Sequence, residues 1–263
     1  MDHPTSTLLS GTPMASRPAT VAFGSESLSR SFEHAASLPQ SAGPDFQPMA
    51  RNDALDRVVN ISIAFVALVL ISPVLLLVAI AVKLTSPGPA MYTQSRVGRD
   101  RRRGADRTPG DRRRSNFGGG LFTIYKFRSM RTDAESQGQA VWAVQNDPRV
   151  TPIGTFLRKS RLDELPQLFN VVLGDMNIVG PRPERPQIFV ELSQQISDYP
   201  LRAMAKPGIT GLAQINHTYD TCLESVRIKV RYDLEYLRVA TIWTDLRIMA
   251  STIPVMLLRR GGW

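Results

Sequence analysis

The chain has 263 residues, 43% of them hydrophobic, and carries 32 Lys and Arg against 23 Asp and Glu, a formal charge of +9. That length suits one or two domains with a buried core, and the basic balance favours acidic partners: anionic lipid, phosphorylated substrates or nucleic acid. The single cysteine (Cys222) excludes an intramolecular disulfide and a cysteine-based zinc site, and three scattered histidines (His3, His34, His217) argue against a histidine-rich metal centre.

Residues 1 to about 50 are rich in Ser, Pro, Ala and Thr, with no sustained apolar period, and read as a disordered tail. No basic start leads into an apolar run, so they do not form a signal peptide. A helical pattern begins near Ala54 and runs into ISIAFVALVLISPVLLLVAIAV, Ile61 to Val82. As a helix this stretch rises about 33 Å, enough for the hydrocarbon core of a bilayer. Pro73 lacks an N–H and clashes with the preceding turn, so a kink or break is expected there, with Ser72 able to bond the carbonyl so freed. Hydropathy alone favours a kinked span; a re-entrant helix-break-helix is the alternative. The arginine-rich region that follows should stay cytoplasmic.

SPGP, Ser86 to Pro89, ends the helix and turns the chain. RDRRRGADRTPGDRRR, Arg99 to Arg114, reads as part of a solvated loop over about 99–119. It is either a plain charge run or a tether to anionic headgroups. Without aromatic interleaving or a recognisable module, no nucleic-acid partner is expected. LFTIYKFRSM alternates like a strand and carries Lys126 and Arg128 on one face. Thr151 to Lys159 leads into or forms a short helix.

In LDELPQLFNVVLG, Leu165, Leu168, Phe169, Val172 and Leu173 fall at helical spacing, with Pro166 in the first turn and Gly174 as the stop. Asp163 and Glu164 then stand at or just before that turn, where unpaired N–H groups favour anions. Adjacent helical side chains point about 100° apart, so one could face a reacting phosphorus while the other holds a metal. Acidic residues are also ordinary capping features. VGPRPERP is a stiff loop presenting Arg182 and Arg185, suited to bidentate phosphate binding or to a structural turn. KPGITG, Lys206 to Gly211, is a second Pro/Gly turn. Leu223 to Leu237 forms a charged amphipathic helix. Ile242 to Leu258 either packs on a core or lies in a membrane interface. A phosphate-transferring enzyme at a membrane surface accommodates these features; a membrane-anchored scaffold and another lipid phosphotransferase compete with it.

Taken together, LDRVVNISIAFVALVLISPVLLLVAIAVKLTSPGPAMYTQSRVG, KFRSM, RLDELPQLFNVVLGDMNIVGPRPERP, KPGITGLAQI and YDLEYL resemble, in order and over about residues 52 to 260, the bacterial sugar transferase family of monotopic phosphoglycosyl transferases. The resemblance implies an α+β, mostly helical chain. A re-entrant membrane helix at 51–84 would break at Ser72-Pro73. A small cytoplasmic, membrane-associated catalytic domain at 85–263 would carry interfacial amphipathic helices. It implies transfer of a sugar 1-phosphate from a UDP-sugar, a hexose by its motifs, to polyprenyl (undecaprenyl) phosphate with release of UMP. This is the first membrane step of polysaccharide assembly at the inner membrane's cytoplasmic face.

Carried over by position, Asp163 is the nucleophile, Glu164 its partner and Arg182 a phosphate-binding arginine. Lys126 and Asp233 match further functional positions. Mg²⁺ held by Asp163 and Glu164 would neutralise the diphosphate, with Arg128 and Arg185 adding positive charge. A homodimer stays open. The sequence departs from the family in its longer arginine-rich segment and in residues 1–50, which cannot supply the multi-span amino-terminal domain of many relatives.

Overall fold

The computed structural model describes residues 37–43, 45–100, 118–134, 147–217 and 222–257. Positions 1–36 of the expected tail and 101–117 of the arginine-rich segment lie outside them. The end of that tail departs from the expectation. Leu38, Ala42 and Phe46 pack against the core, Met49 N–H donates to the Leu237 carbonyl (2.7 Å), and Ala42 N–H donates to Asp198 Oδ2 (2.9 Å). Three apolar side chains are too few to register as a periodic element, yet tertiary contact orders them.

Helix α1, Asp53–Thr85, starts where Asn52 Oδ1 accepts from the Ala54 and Leu55 N–H groups and runs 33 residues, about 50 Å. The expected break at Ser72-Pro73 is absent: Pro73 lies inside a continuous helix. Its missing N–H would have served the Val69 carbonyl, and the Ser72 hydroxyl donates there instead (2.9 Å). One stripe of α1 packs along the rest of the protein. Ala64, Ala67, Leu68 and Ile71 meet Ile124, Leu168, Val171 and Met176; Leu75, Val78, Ala79 and Val82 meet Phe127 and Leu157. The opposite face is bare, with Phe65, Val69, Leu70, Leu76, Leu77 and Leu84 exposed. By length and composition α1 is able to cross a membrane.

Polar ties hold both ends of α1. The Arg51 guanidinium donates to both Asp56 oxygens (2.5 and 2.7 Å), to Asp245 Oδ2 (2.7 Å) and to Tyr236 Oη (3.1 Å). Asn60 Oδ1 accepts from Ile178 N–H (2.7 Å). At the far end Arg128 donates to the carbonyls of Pro87 (2.6 Å) and Ser86 (2.7 Å) just beyond the helix, where its charge also suits the helix dipole.

Strands β1 (Met91–Val97) and β2 (Leu121–Phe127) pair antiparallel, from Met91 opposite Phe127 to Val97 opposite Leu121. The arginine-rich segment therefore falls, in chain order, between two paired strands. The hairpin's neck is closed by Gly98 N–H donating to the Gly120 carbonyl (2.7 Å). Helix α2 (Pro152–Lys159) is capped by Thr151 Oγ1, which accepts from Gly154 N–H (3.0 Å). A 3₁₀ turn, Leu162–Glu164, precedes α3 (Gln167–Leu173).

Helix α3 does not bury the stripe read from its spacing. Gln167, Leu168, Asn170 and Val171 are buried, while Phe169 and Leu173 are exposed. The reason is the free edge of β2: Asn170 Oδ1 accepts from Tyr125 N–H (3.0 Å) and its Nδ2 donates to the Thr123 carbonyl (2.6 Å). A polar side chain facing inward completes the strand's pairing, so part of the apolar stripe faces out. Gly174 closes α3 in the left-handed conformation (φ 96°), and Arg57 of α1 donates to the Val171 and Val172 carbonyls beside it (2.5 and 2.6 Å).

Strands β3 (Asn177–Val179) and β4 (Gly208–Thr210) pair in parallel, and a Cβ on Gly208 would lie 2.1 Å from Gly180 N, so the approach requires glycine. Around them stand α4 (Pro186–Gln195), a 3₁₀ turn (Tyr199–Met204), α5 (Leu212–Asn216), α6 (Leu223–Val239) and α7 (Ile242–Leu257). Helix α6 joins two core clusters, one with Phe189, Leu192 and Tyr199, the other with Val179 and Ile248. Helix α7 packs on the core through Ile248, while Trp243 and Ile253 are exposed. The architecture is α+β and mostly helical.

Asn170→Ala would strand the Thr123 carbonyl and Tyr125 N–H at a partly buried edge. It should destabilise the protein by about 2–4 kcal/mol, read by thermal or urea unfolding in detergent. A loss under about 0.5 kcal/mol would show the bridge to be dispensable.

Candidate active site

The site begins with an unusual turn. Arg161 adopts a left-handed conformation (φ 58°, ψ 13°), which costs a non-glycine residue about 1 kcal/mol or more. It lets Glu164 N–H bond the Arg161 carbonyl (3.1 Å) and Leu165 N–H bond that of Leu162 (3.3 Å). Pro166 has no N–H with which to continue the ladder, so the turn stays separate from α3. Asp163 and Glu164 therefore sit just before the helix, and both are buried, at 7% and 8% exposure.

Their surroundings differ sharply. Glu164 Oε1 accepts from Lys126 Nζ of β2 (2.8 Å) and from Arg182 Nη2; its Oε2 accepts from Arg182 Nη1 (3.2 Å). Burial alone would raise its pKa, but Arg182 and Lys126 outweigh that and hold the carboxyl well below the usual range. Asp163 Oδ1 is buried without a hydrogen-bond partner. Burial, then the neighbouring Glu164 charge, pushes Asp163 up to about 6, against the opposing pull of Lys126, Arg161 and Arg158. Lys126 is held below its ordinary value, mainly by burial.

Arg182 projects from a loop with three prolines and therefore few donors of its own. Four successive carbonyls of that loop are held from outside. Pro181 accepts from Gly208 N–H (3.0 Å), Arg182 from Arg202 Nη2 (3.1 Å), Pro183 from Arg96 Nη1 (3.0 Å) and Glu184 from Val97 N–H (2.9 Å).

Asp163, Glu164, Lys126 and Arg182 are thus brought together as the sequence suggested. Arg128 and Asp233 are elsewhere. Arg128 lies past the end of β2, with its guanidinium at the terminus of α1 rather than at the dyad. The alternation that placed it beside Lys126 stops with the strand at Phe127. Arg185 opens α4, its N–H donating to Glu184 Oε1 (3.2 Å). Asp233 is buried against Arg202. Arg202, Arg96 and Asn170 were missed in the sequence; Asn170 belongs to the quoted LDELPQLFNVVLG motif, whereas Arg202 in YPLRAM carries no motif signal.

Among the described residues no cluster of three or more acidic, His or Cys side chains is present. Both oxygens of Glu164 already accept from cations, so within the dyad the Asp163 carboxylate is the one that offers oxygen to a further ligand. That donor set fits a magnesium ion held by one carboxylate and completed by substrate phosphate oxygens and water.

Comparison with known proteins matches the sequence to a family. A UDP-glucose:undecaprenyl-phosphate glucose-1-phosphate transferase of Caulobacter vibrioides is 37% identical over 214 residues, 80% of this chain and 72% of the relative. A UDP-N-acetylgalactosamine-undecaprenyl-phosphate N-acetylgalactosaminephosphotransferase of Aeromonas hydrophila is 39% identical over 79% of this chain and 45% of its own. A UDP-glucose:undecaprenyl-phosphate glucose-1-phosphate transferase of Escherichia coli K12 is 43% identical over 77% and 40%. This chain therefore spans less than half the length of the latter two. The family model described as Bacterial sugar transferase matches residues 51–259, which take in α1, the dyad and the loop bearing Arg182. The chain belongs to the bacterial sugar transferase family.

Proposed function

We propose that the protein transfers a sugar 1-phosphate from a UDP-sugar to undecaprenyl phosphate, with Asp163 as the nucleophile. The observation that carries this reading is the asymmetry of the dyad: Glu164 is neutralised by Lys126 and Arg182, while Asp163 keeps a buried oxygen without a partner. An oxygen of the Asp163 carboxylate attacks the sugar-bearing phosphorus of the donor. The new Asp163 O–P bond forms as the bond to UMP breaks, and UMP leaves with the electron pair. An oxygen of the lipid phosphate then attacks the same phosphorus and releases Asp163. Two anionic substrates are thereby spared direct reaction with each other. Bound at Asp163 and the donor phosphates, Mg²⁺ would supply charge neutralisation. Lys126 and Arg182 stand where charge develops and orient the dyad through Glu164.

Relatives of comparable identity are named for glucose and for N-acetylgalactosamine, so the motifs specify a UDP-hexose class and not one sugar. Helix α1 is unbroken at Pro73, yet it packs on the body from Ala64 to Val82, which supports a monotopic helix held along the body in place of a span or a helix that turns back inside the bilayer. A spanning helix would carry much of that stretch across about 30 Å of hydrocarbon, away from a body full of buried ion pairs. This reading puts the site at the cytoplasmic face of the inner membrane, with exposed Phe169, Leu173, Trp243 and Ile253 at the lipid interface.

With purified enzyme, a panel of UDP-hexoses and undecaprenyl phosphate, wild type should release UMP. Asp163→Asn should lower release by about a thousandfold or more and leave no phosphosugar on the protein. Near-native turnover in that variant overturns the assignment. Because burial raises the Asp163 pKa, its charge opposes folding at neutral pH, so Asp163→Asn should melt no lower than wild type.

The same shift sets the pH dependence. The ionised carboxylate is the nucleophile, so the single-turnover rate should be level above about pH 7 and fall roughly tenfold per unit below about pH 6. A rate level down to pH 4.5 contradicts it. For topology, a cysteine at exposed Gln47 in a Cys222→Ser background should be shielded from an impermeant thiol reagent on intact cells. Labelling from outside would restore the span.

A further inference from the structure

Asp233 and Arg202 form an ion pair among the most deeply buried in the protein, at 1% and 3% exposure, and neither touches the dyad. A buried guanidinium needs an anion and acceptors for its donors, and here each donor group has one. Nε and Nη2 meet Asp233 Oδ2 (2.9 and 2.7 Å), Nη1 donates to Tyr199 Oη (2.9 Å), and Nη2 also donates to the Arg182 carbonyl (3.1 Å). The guanidinium also lies over the Tyr199 ring, 5.0 Å from its centroid.

Of the four carbonyls that fasten the proline-rich loop, the one held by Arg202 belongs to the residue whose side chain grips Glu164. We propose that Arg202, anchored by Asp233, is a positioning residue that fixes the backbone of Arg182 and through it the Arg182–Glu164 contact, so that Asp233 serves the reaction without touching substrate. The chain of contact is Asp233 to Arg202 to the Arg182 carbonyl, and from the Arg182 guanidinium to Glu164. A lysine at 202 could satisfy Asp233, but its single nitrogen cannot reach Tyr199 and the Arg182 carbonyl as well.

This inference rests on the reading of the site as a UDP-sugar site, and two readouts keep the two apart: UMP release, and the rise in melting temperature produced by UDP. Arg202→Lys should lower UMP release tenfold or more and at least halve the UDP-induced shift at a temperature where the variant is still fully folded, although its unliganded melting temperature falls by a few degrees because two buried groups lose their donor. In an Arg182→Lys background the same substitution should change either readout less than twofold, because its target is already lost. Losses that multiply in the two backgrounds overturn the relay. If Arg202→Lys fails to fold, Tyr199→Phe removes one acceptor only and should give a twofold to fivefold loss with the same dependence on Arg182. A wild type that binds UDP without releasing UMP defeats the proposed function while the UDP shift still decides the relay. A wild type that does neither overturns both.

Discussion

Glu164 is a carboxylate taken out of water and held between Lys126 and Arg182. Burying an ion costs several kcal/mol unless partners compensate, and removing one partner leaves the other charge stranded. The three residues come from a 3₁₀ turn, a hairpin strand and a proline-rich loop, so satisfying one charge sets the relative positions of three segments. The same contact makes the dyad unequal. The cationic nitrogens bond Glu164, and Asp163 is left with burial and a negative neighbour. Two adjacent carboxylates in one turn thereby acquire opposite tendencies, one firmly ionised and one drawn toward neutrality at mild acidity.

The loop bearing Arg182 shows how rigidity is obtained where the backbone offers few donors. Pro181, Pro183 and Pro186 contribute no N–H groups. Strand β4, the turn after α4 and strand β1 supply donors instead, so the loop is held by its surroundings more than by its own hydrogen bonds. Glu184 adds a second layer, with Arg96 at 3.4 Å and Lys229 at 3.7 Å from its carboxylate.

Helix α1 belongs to this body as much as to any membrane. Its inner stripe completes two core clusters, and its polar residues Arg57 and Asn60 bond backbone groups of α3, which follows the dyad, and of β3, which leads into the loop of Arg182. Its outer face leaves large apolar side chains uncovered, the kind of surface that water tolerates poorly. The Ser72 hydroxyl shows how a proline is accommodated without a break: the one orphaned carbonyl is satisfied locally and the helix continues.

By itself the sequence determined the elements whose signals are local. These are the long apolar helix and its SPGP stop, the strand leading to Lys126, the helices read at 151–159, 223–237 and 242–258, and the Asp163-Glu164 pair with the stiff loop of Arg182. Spacing, proline and glycine set these within a few residues of each other. Tertiary structure decided what depends on a partner distant in the chain. It gave Arg128 to the end of α1, turned Asn170 inward to the free edge of β2, packed Leu38, Ala42 and Phe46 on the core, and paired Asp233 with Arg202. No local pattern marks such residues, because a buried polar group is placed by where its complement lies, and that is known only once the chain has folded back on itself.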